Sequence, residues 1–307
     1  MSLKKKYGIL ALLGGALCSP LTSQAIAAPE KVDLELVLAT DVSRSIDQEE
    51  AALQRDGTAA AFRSPEVIKA IQAGNLGKIA VAYIDWSVDG LNRVVIDWRV
   101  IHDRASAERF ADDLLNAPTT EGNRTSISSA LVMAADMIET NNYDGTQKDI
   151  DVSGDGKNNA GLELGPVRDM TVAKGITING LPIVTEGGGF GRGGFVPDLD
   201  KYYAACVIGG RGAFAVVARG FQDFSIAIRH KLILEVSNID PEIYQARQGK
   251  VVKVAARPLF AQLPRPPGTQ APPTILRPPA VHEQNCDQMT PYGGFGGFGG
   301  FDNFGRP

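Results

Sequence analysis

The chain has 307 residues, 44% of them apolar and 21% charged, with a formal net charge of −4. That is enough for a substantial core in one large domain or two small ones, and it excludes a peptide hormone, a disordered polyelectrolyte and a basic nucleic-acid binder. Three cysteines and three dispersed histidines exclude a disulfide framework and leave little material for a histidine-rich metal site.

The amino-terminal segment reads as an export signal. Lys4, Lys5 and Lys6 precede a short apolar run over residues 8–17, and Ala25-Ile26-Ala27 supplies the small residues that cleavage needs. The run is shorter than the roughly 20 residues that span a bilayer. Residues 1–27 are therefore expected to be removed, leaving a periplasmic or extracellular chain with no transmembrane segment. Leu17 before Cys18 argues against a lipid anchor. An acidic exported chain is expected to have no nucleic-acid partner.

Residues 30–237 alternate apolar runs with amphipathic stretches, and they are expected to form one domain. Residues 32–40 read as a strand, continuously apolar at Leu36-Val37-Leu38-Ala39, as a strand covered on both faces must be. Helices follow over 48–62 and 65–72, then strands over 78–86 and 92–101, with the turn-prone Asp89-Gly90 marking a hairpin. Further helices are expected over 105–115, 126–140, 165–173 and 222–234, and further strands over 148–153, 176–184 and 213–218. This alternation predicts an α/β fold with a doubly wound, mostly parallel sheet and one antiparallel edge strand. Trp86 and Trp98, on paired strands, are expected to pack against each other or a helix.

In such a sheet, ligands sit beyond the carboxyl ends of the strands, where strand order reverses. Three polar segments fall on that edge. The first strand runs into Asp41-Val42-Ser43-Arg44-Ser45, whose alternation sets one carboxylate and two hydroxyls where they can converge on a hard cation. Gly122-Asn123-Arg124-Thr125 ends a loop before a helix, and Ser153-Gly154-Asp155-Gly156 ends a middle strand.

The D-x-S-x-S segment, Thr125 ahead of Ala130-Leu131, and Asp155-Gly156 together resemble the von Willebrand factor A domain and its metal-ion-dependent adhesion site (MIDAS). More closely, Asp151 to Gly156 with Asn158-Asn159, and Tyr202-Tyr203-x-x-Cys206, resemble an uncharacterised group of exported bacterial proteins with this domain, similar to DUF1194. The resemblance implies Ser43 and Ser45 as direct ligands of a cation, Asp41 bonded to its waters, Thr125 direct or water-linked, and Asp155 acting mainly through water. Mg²⁺ suits such a site, with Mn²⁺ or Ca²⁺ able to substitute. The partner implied is a protein or peptide whose acidic residue completes the coordination. Gly154 departs from the family, which commonly has Thr there, so Asp151 competes with Asp155 for the assignment.

Other readings contend for the same residues. Asp151-x-Ser153-x-Asp155-Gly156 also looks like an EF-hand calcium loop, although its twelfth position is Leu162. Ser45 or Asp47 would cap the next helix, with Glu50 completing a capping box. A metal-dependent phosphoester hydrolase with Asp41 as nucleophile would need a second acid where Ser43 stands, and the expectation is that the chain is not an enzyme. Gly189-Phe190-Gly191-Arg192-Gly193-Gly194 fits a dinucleotide pattern in the wrong context and is expected to be a loop.

Residues 258–307 hold ten Pro and eight Gly, with a repeated Gly-Gly-Phe unit. Such a segment is expected to form no packed layer, so 238–307 read as a disordered tail, through which a structural envelope protein could act. Cys206 and Cys286 either pair in an oxidising compartment or stay separate, one buried and one exposed.

Overall fold

The computed structural model describes residues 28–88, 90–185, 196–239, 243–244, 273–279 and 286. The export signal, the glycine loop at 189–194 and the Gly-Gly-Phe repeat lie outside the described residues.

In chain order the elements are β1 (Glu30–Asp41), α1 (Gln48–Arg63), α2 (Pro65–Gln72), β2 (Ile79–Trp86), β3 (Arg93–Ile101), α3 (Arg104–Asn116) and α4 (Ile127–Thr140). There follow β4 (Tyr143–Gly154), α5 (Leu164–Ala173), β5 (Thr177–Pro182), the short α6 (Leu199–Tyr202), a π-helical turn (Tyr203–Val207), β6 (Ala215–Val217), α7 (Phe224–Ser237) and β7 (Thr274–Leu276). The first four helices start where the sequence supplies caps. Asp47 accepts from Glu50 N–H at 2.9 Å while Glu50 accepts from Asp47 N–H at 3.0 Å, a capping box for α1. Ser64 and Pro65 open α2, Asp103 opens α3 and Ser126 opens α4.

The strands form one sheet in the order β3-β2-β1-β4-β5-β6-β7. β2, β1, β4, β5 and β6 run parallel, and β3 is the antiparallel edge that the hairpin signal predicts. Alternate residues of β1 feed opposite layers. Leu34, Leu36 and Leu38 join Phe62, Phe110, Ile228 and Leu232 on the α1–α2–α3–α7 side, whereas Val37 and Ala39 join Leu131, Ala134 and Val167 on the α4–α5 side. Burial of these two layers is the main stabilising term, at about 25 cal/mol per Å² of apolar surface.

Parts of the tail segment lie among the described residues. Thr274–Leu276 pairs antiparallel with β6, at the edge opposite β3. Cys286 is joined to Cys206 in a disulfide. A three-residue strand and one crosslink bring part of this Pro-rich segment back to the domain without any hydrophobic periodicity to announce it. Trp98 packs its ring 6.0 Å from Tyr143, and Trp86 is buried in the α4–α5 layer.

Candidate metal centre

Chain order reverses about β1. β2 and β3 extend the sheet on one side, and β4 and β5 on the other. The crevice between the carboxyl ends of β1 and β4 is therefore the switch point where such sheets bind ligands, and β1 ends there at Asp41 and β4 at Gly154.

Beyond β1 the chain turns so that Asp41 Oδ1 accepts Ser43 N–H at 2.7 Å. The hydroxyls of Ser43 and Ser45 lie 3.2 Å apart, Thr125 Oγ1 donates to Ser43 Oγ at 3.3 Å, and Ser45 Oγ donates to Asp155 Oδ1 at 2.7 Å. The five residues singled out in the sequence thus meet in one chain of contacts, although Thr125 and Asp155 stand far from Ser43 in sequence. Asp41, Ser43 and Thr125 are buried, whereas Ser45 and Asp155 are half-buried at the mouth. The capping of α1 falls to Asp47, which leaves the Ser45 hydroxyl to Asp155.

Residues outside that set hold the three loops. Ser87 Oγ donates to Arg124 O at 2.7 Å and accepts Asn123 N–H at 2.9 Å, while Ser87 O accepts Ser126 N–H at 2.6 Å. Asn159 accepts Thr125 N–H at 3.0 Å through its side chain and donates its own N–H to Thr125 O at 2.8 Å. Asn158 Oδ1 accepts Ser128 N–H at 3.2 Å, and Tyr202 Oη accepts Asn158 N–H at 3.2 Å. The Asn158-Asn159 and Tyr202-Tyr203 pairs were visible as family-like motifs. Ser87 carries no such signal, because a serine directly after a strand end is common.

The calcium-loop reading fails on this geometry. Asp151 turns away from the rim to Lys231 Nζ at 2.8 Å, and the two asparagines bond to the Thr125 loop and α4 rather than around a common centre.

The donor set fits a divalent cation held mostly by hydroxyls. Among the described residues no group of three or more His, Cys, Asp or Glu side chains is placed to hold a metal ion. Burial, and then repulsion from Asp155, pushes the Asp41 carboxyl well above the usual range, and burial raises Asp155 too. Asp41 Oδ2 is buried without a protein hydrogen-bond partner. Two acids this poorly stabilised, beside three hydroxyls, are short of positive charge.

The sequence pattern of the family described as "protein of unknown function (DUF1194)" matches residues 31–240. The chain belongs to this family. No curated protein matches it. The DUF1194 chain has an α/β architecture with a mostly parallel sheet and an antiparallel strand at each edge. Similar solved structures include proximal thread matrix protein 1 from the mussel byssus with a zinc-occupied MIDAS motif, at 17% identity and a TM-score of 0.49, covering 69% of this chain and 50% of that one. The DUF1194 chain thus spans about half the length of that protein. A von Willebrand factor type A protein from Catenulispora acidiphila is 14% identical with a TM-score of 0.48, covering 67% and 43%. The conserved hypothetical protein BatB from Bacteroides thetaiotaomicron is 17% identical with a TM-score of 0.40, covering 67% and 100%. Among the described residues no helix is long and apolar enough to cross a membrane.

Proposed function

We propose that this chain is an exported, non-enzymatic binding module that captures a protein or peptide partner by an acidic side chain, through a divalent cation at the β1–β4 rim. The observation that carries the reading is the convergence of Ser43, Ser45 and Thr125 hydroxyls beside Asp41 and Asp155.

Each residue has a definable task. Ser43 and Ser45 would hold the ion directly and Thr125 directly or through a water, with Asp41 behind them and Asp155 at the mouth bonding its waters. Mg²⁺ suits the site, and Mn²⁺ or Ca²⁺ would substitute. Neutral hydroxyl ligands leave the ion's charge largely unquenched, so it supplies an electrophilic position for a carboxylate oxygen. Asp41, tied to Ser43 N–H at 2.7 Å, fixes the turn that presents both serines. Asp155 orients Ser45 through its 2.7 Å hydrogen bond. The buried Asp41 carboxylate, held by its neighbour's backbone, favours this supporting role over nucleophilic attack. Export is supported by the signal-like residues 1–27 and by a disulfide that suits an oxidising compartment.

The test compares wild type with Asp41→Ala. Mg²⁺ should raise the melting temperature of wild type and leave that of the variant unchanged, and acidic peptides should bind only wild type and only without EDTA. Equal Mg²⁺ shifts in the two proteins would overturn the reading.

A further inference from the structure

Two buried oxygen atoms of complementary character border one small space behind the candidate metal centre. Asp41 Oδ2 and the Tyr203 hydroxyl are both buried, and neither has a hydrogen-bond partner among the protein atoms. Gly154 lies between them. A Cβ at that position would sit 2.9 Å from Asp41 Oδ2 and 3.0 Å from Tyr203 Oη, too close for a side chain, so the bare Cα of Gly154 lets both oxygens approach one point. A carboxylate oxygen only accepts and a phenol donates. Buried polar groups are satisfied as a rule, so two adjacent orphans of opposite role point to one another.

The backbone that carries Tyr203 is unusually well anchored. Residues Tyr203–Val207 form a π-helical turn closed by Ile208 N–H to Tyr203 O at 3.0 Å. The buried Arg168 guanidinium donates to Ala205 O and Cys206 O, each at 3.2 Å, and Cys206 is crosslinked to Cys286. The turn thus delivers one phenol to a fixed point against the end of β1.

We infer that Tyr203 is a positioning residue for the metal centre, its hydroxyl donating to Asp41 Oδ2 directly or through one water and so orienting the carboxylate behind Ser43. The inference rests on the metal-site reading for its consequence, since partners of this kind set metal affinity, but the contact itself does not depend on a metal.

The experiment uses the full mature chain, with Asp carboxyl carbons labelled with ¹³C, as wild type, Tyr203→Phe, Asp41→Asn and, as a control at the far end of β4, Tyr143→Phe. The Asp41 resonance is assigned by its loss in Asp41→Asn. In metal-free protein, Tyr203→Phe should move that resonance and Tyr143→Phe should not. Mn²⁺ affinity should fall about tenfold or more in Tyr203→Phe. An unmoved resonance overturns the proposal, even if affinity falls, because Tyr203 would then act through packing alone. If Asp41→Asn leaves Mn²⁺ binding intact, the metal-site reading fails while the resonance still decides the contact. Should Tyr203→Phe not fold, wild type alone suffices: a slowly exchanging, downfield Tyr203 hydroxyl proton supports the contact, and a freely exchanging one overturns it.

Discussion

Lys231 Nζ lies 2.8 Å from Asp151 Oδ2, and both side chains are almost fully buried, on α7 and β4 respectively. The same ammonium meets Glu235 Oε1 at 2.5 Å, and Asn179 Nδ2 donates to Glu235 at 2.9 Å and to Asp149 at 3.4 Å. Two carboxylates therefore share one lysine inside the sheet–helix layer, and Asn179 links a third, Asp149, to Glu235. Burial alone would lower the Lys231 ammonium, but Asp151 and Glu235 raise it. Burial pushes Asp149 up to about 7 and Glu235 up to about 8. Asp149 and Asp151 lie on the strand that ends at the candidate metal centre.

A pH dependence follows from these shifts. Both acids bind a proton more tightly in the folded protein than in the unfolded chain, where a carboxyl titrates near about 4. Their contribution is full below that pH and is lost as pH rises toward about 8. Denaturant midpoints in EDTA should fall between pH 5 and 9, and Asp149→Asn should flatten the fall. An identical slope in wild type and variant would count against the cluster as its source.

Arg55 and Asp85 form a second buried pair, at 2.8 Å with side chains 6% and 0% exposed. Arg55 also donates to Leu114 O at 3.3 Å and Ala117 O at 3.1 Å, which ties the loop leading toward Thr125 to α1. Arg55→Met should cost about 3 kcal/mol by leaving the buried Asp85 only Thr120 at 2.7 Å and the more distant Arg93 at 3.5 Å, and Arg55→Met with Asp85→Leu should recover most of it. Urea unfolding of the single and double variants measures both.

Gly122 N–H donates to Val42 O at 2.7 Å, and a Cβ there would lie 2.2 Å from Ser87 Oγ. Gly122→Ala must displace Ser87, whose hydroxyl holds Asn123 and Arg124. The expected outcome is a weakened Mg²⁺ thermal shift with a loss of stability of about 1–3 kcal/mol. A variant with the wild-type Mg²⁺ response would show that the Thr125 loop does not need Ser87 in place.

The Cys206–Cys286 crosslink spans a sequence separation of 80. A disulfide stabilises by about 2–4 kcal/mol, mainly through the unfolded chain, and more for a long loop such as this one. Cys206→Ser with Cys286→Ser should lower the melting temperature by several degrees, as should a reductant on wild type and not on the variant.

Residue types alone specified the layered α/β order, because apolar runs and caps are local features read over a few residues. They also marked Asp41, Ser43, Ser45, Thr125 and Asp155, since polar residues at strand ends stand out against apolar strands. Long-range pairing decided the rest. Asp151 lies in β4 and Asp155 directly follows its end, in the same alternation, and only the packing of α7 sends the first to Lys231 while the second faces Ser45. Lys231 itself occupies an inward position among Ile228 and Leu232, where its charge would argue for solvent. The return of Thr274–Leu276 to the sheet and the meeting of Tyr203 with Asp41 across Gly154 likewise depend on segments distant in sequence. Periodicity reports which face of an element is buried, but which neighbour it meets there is settled by the assembled fold.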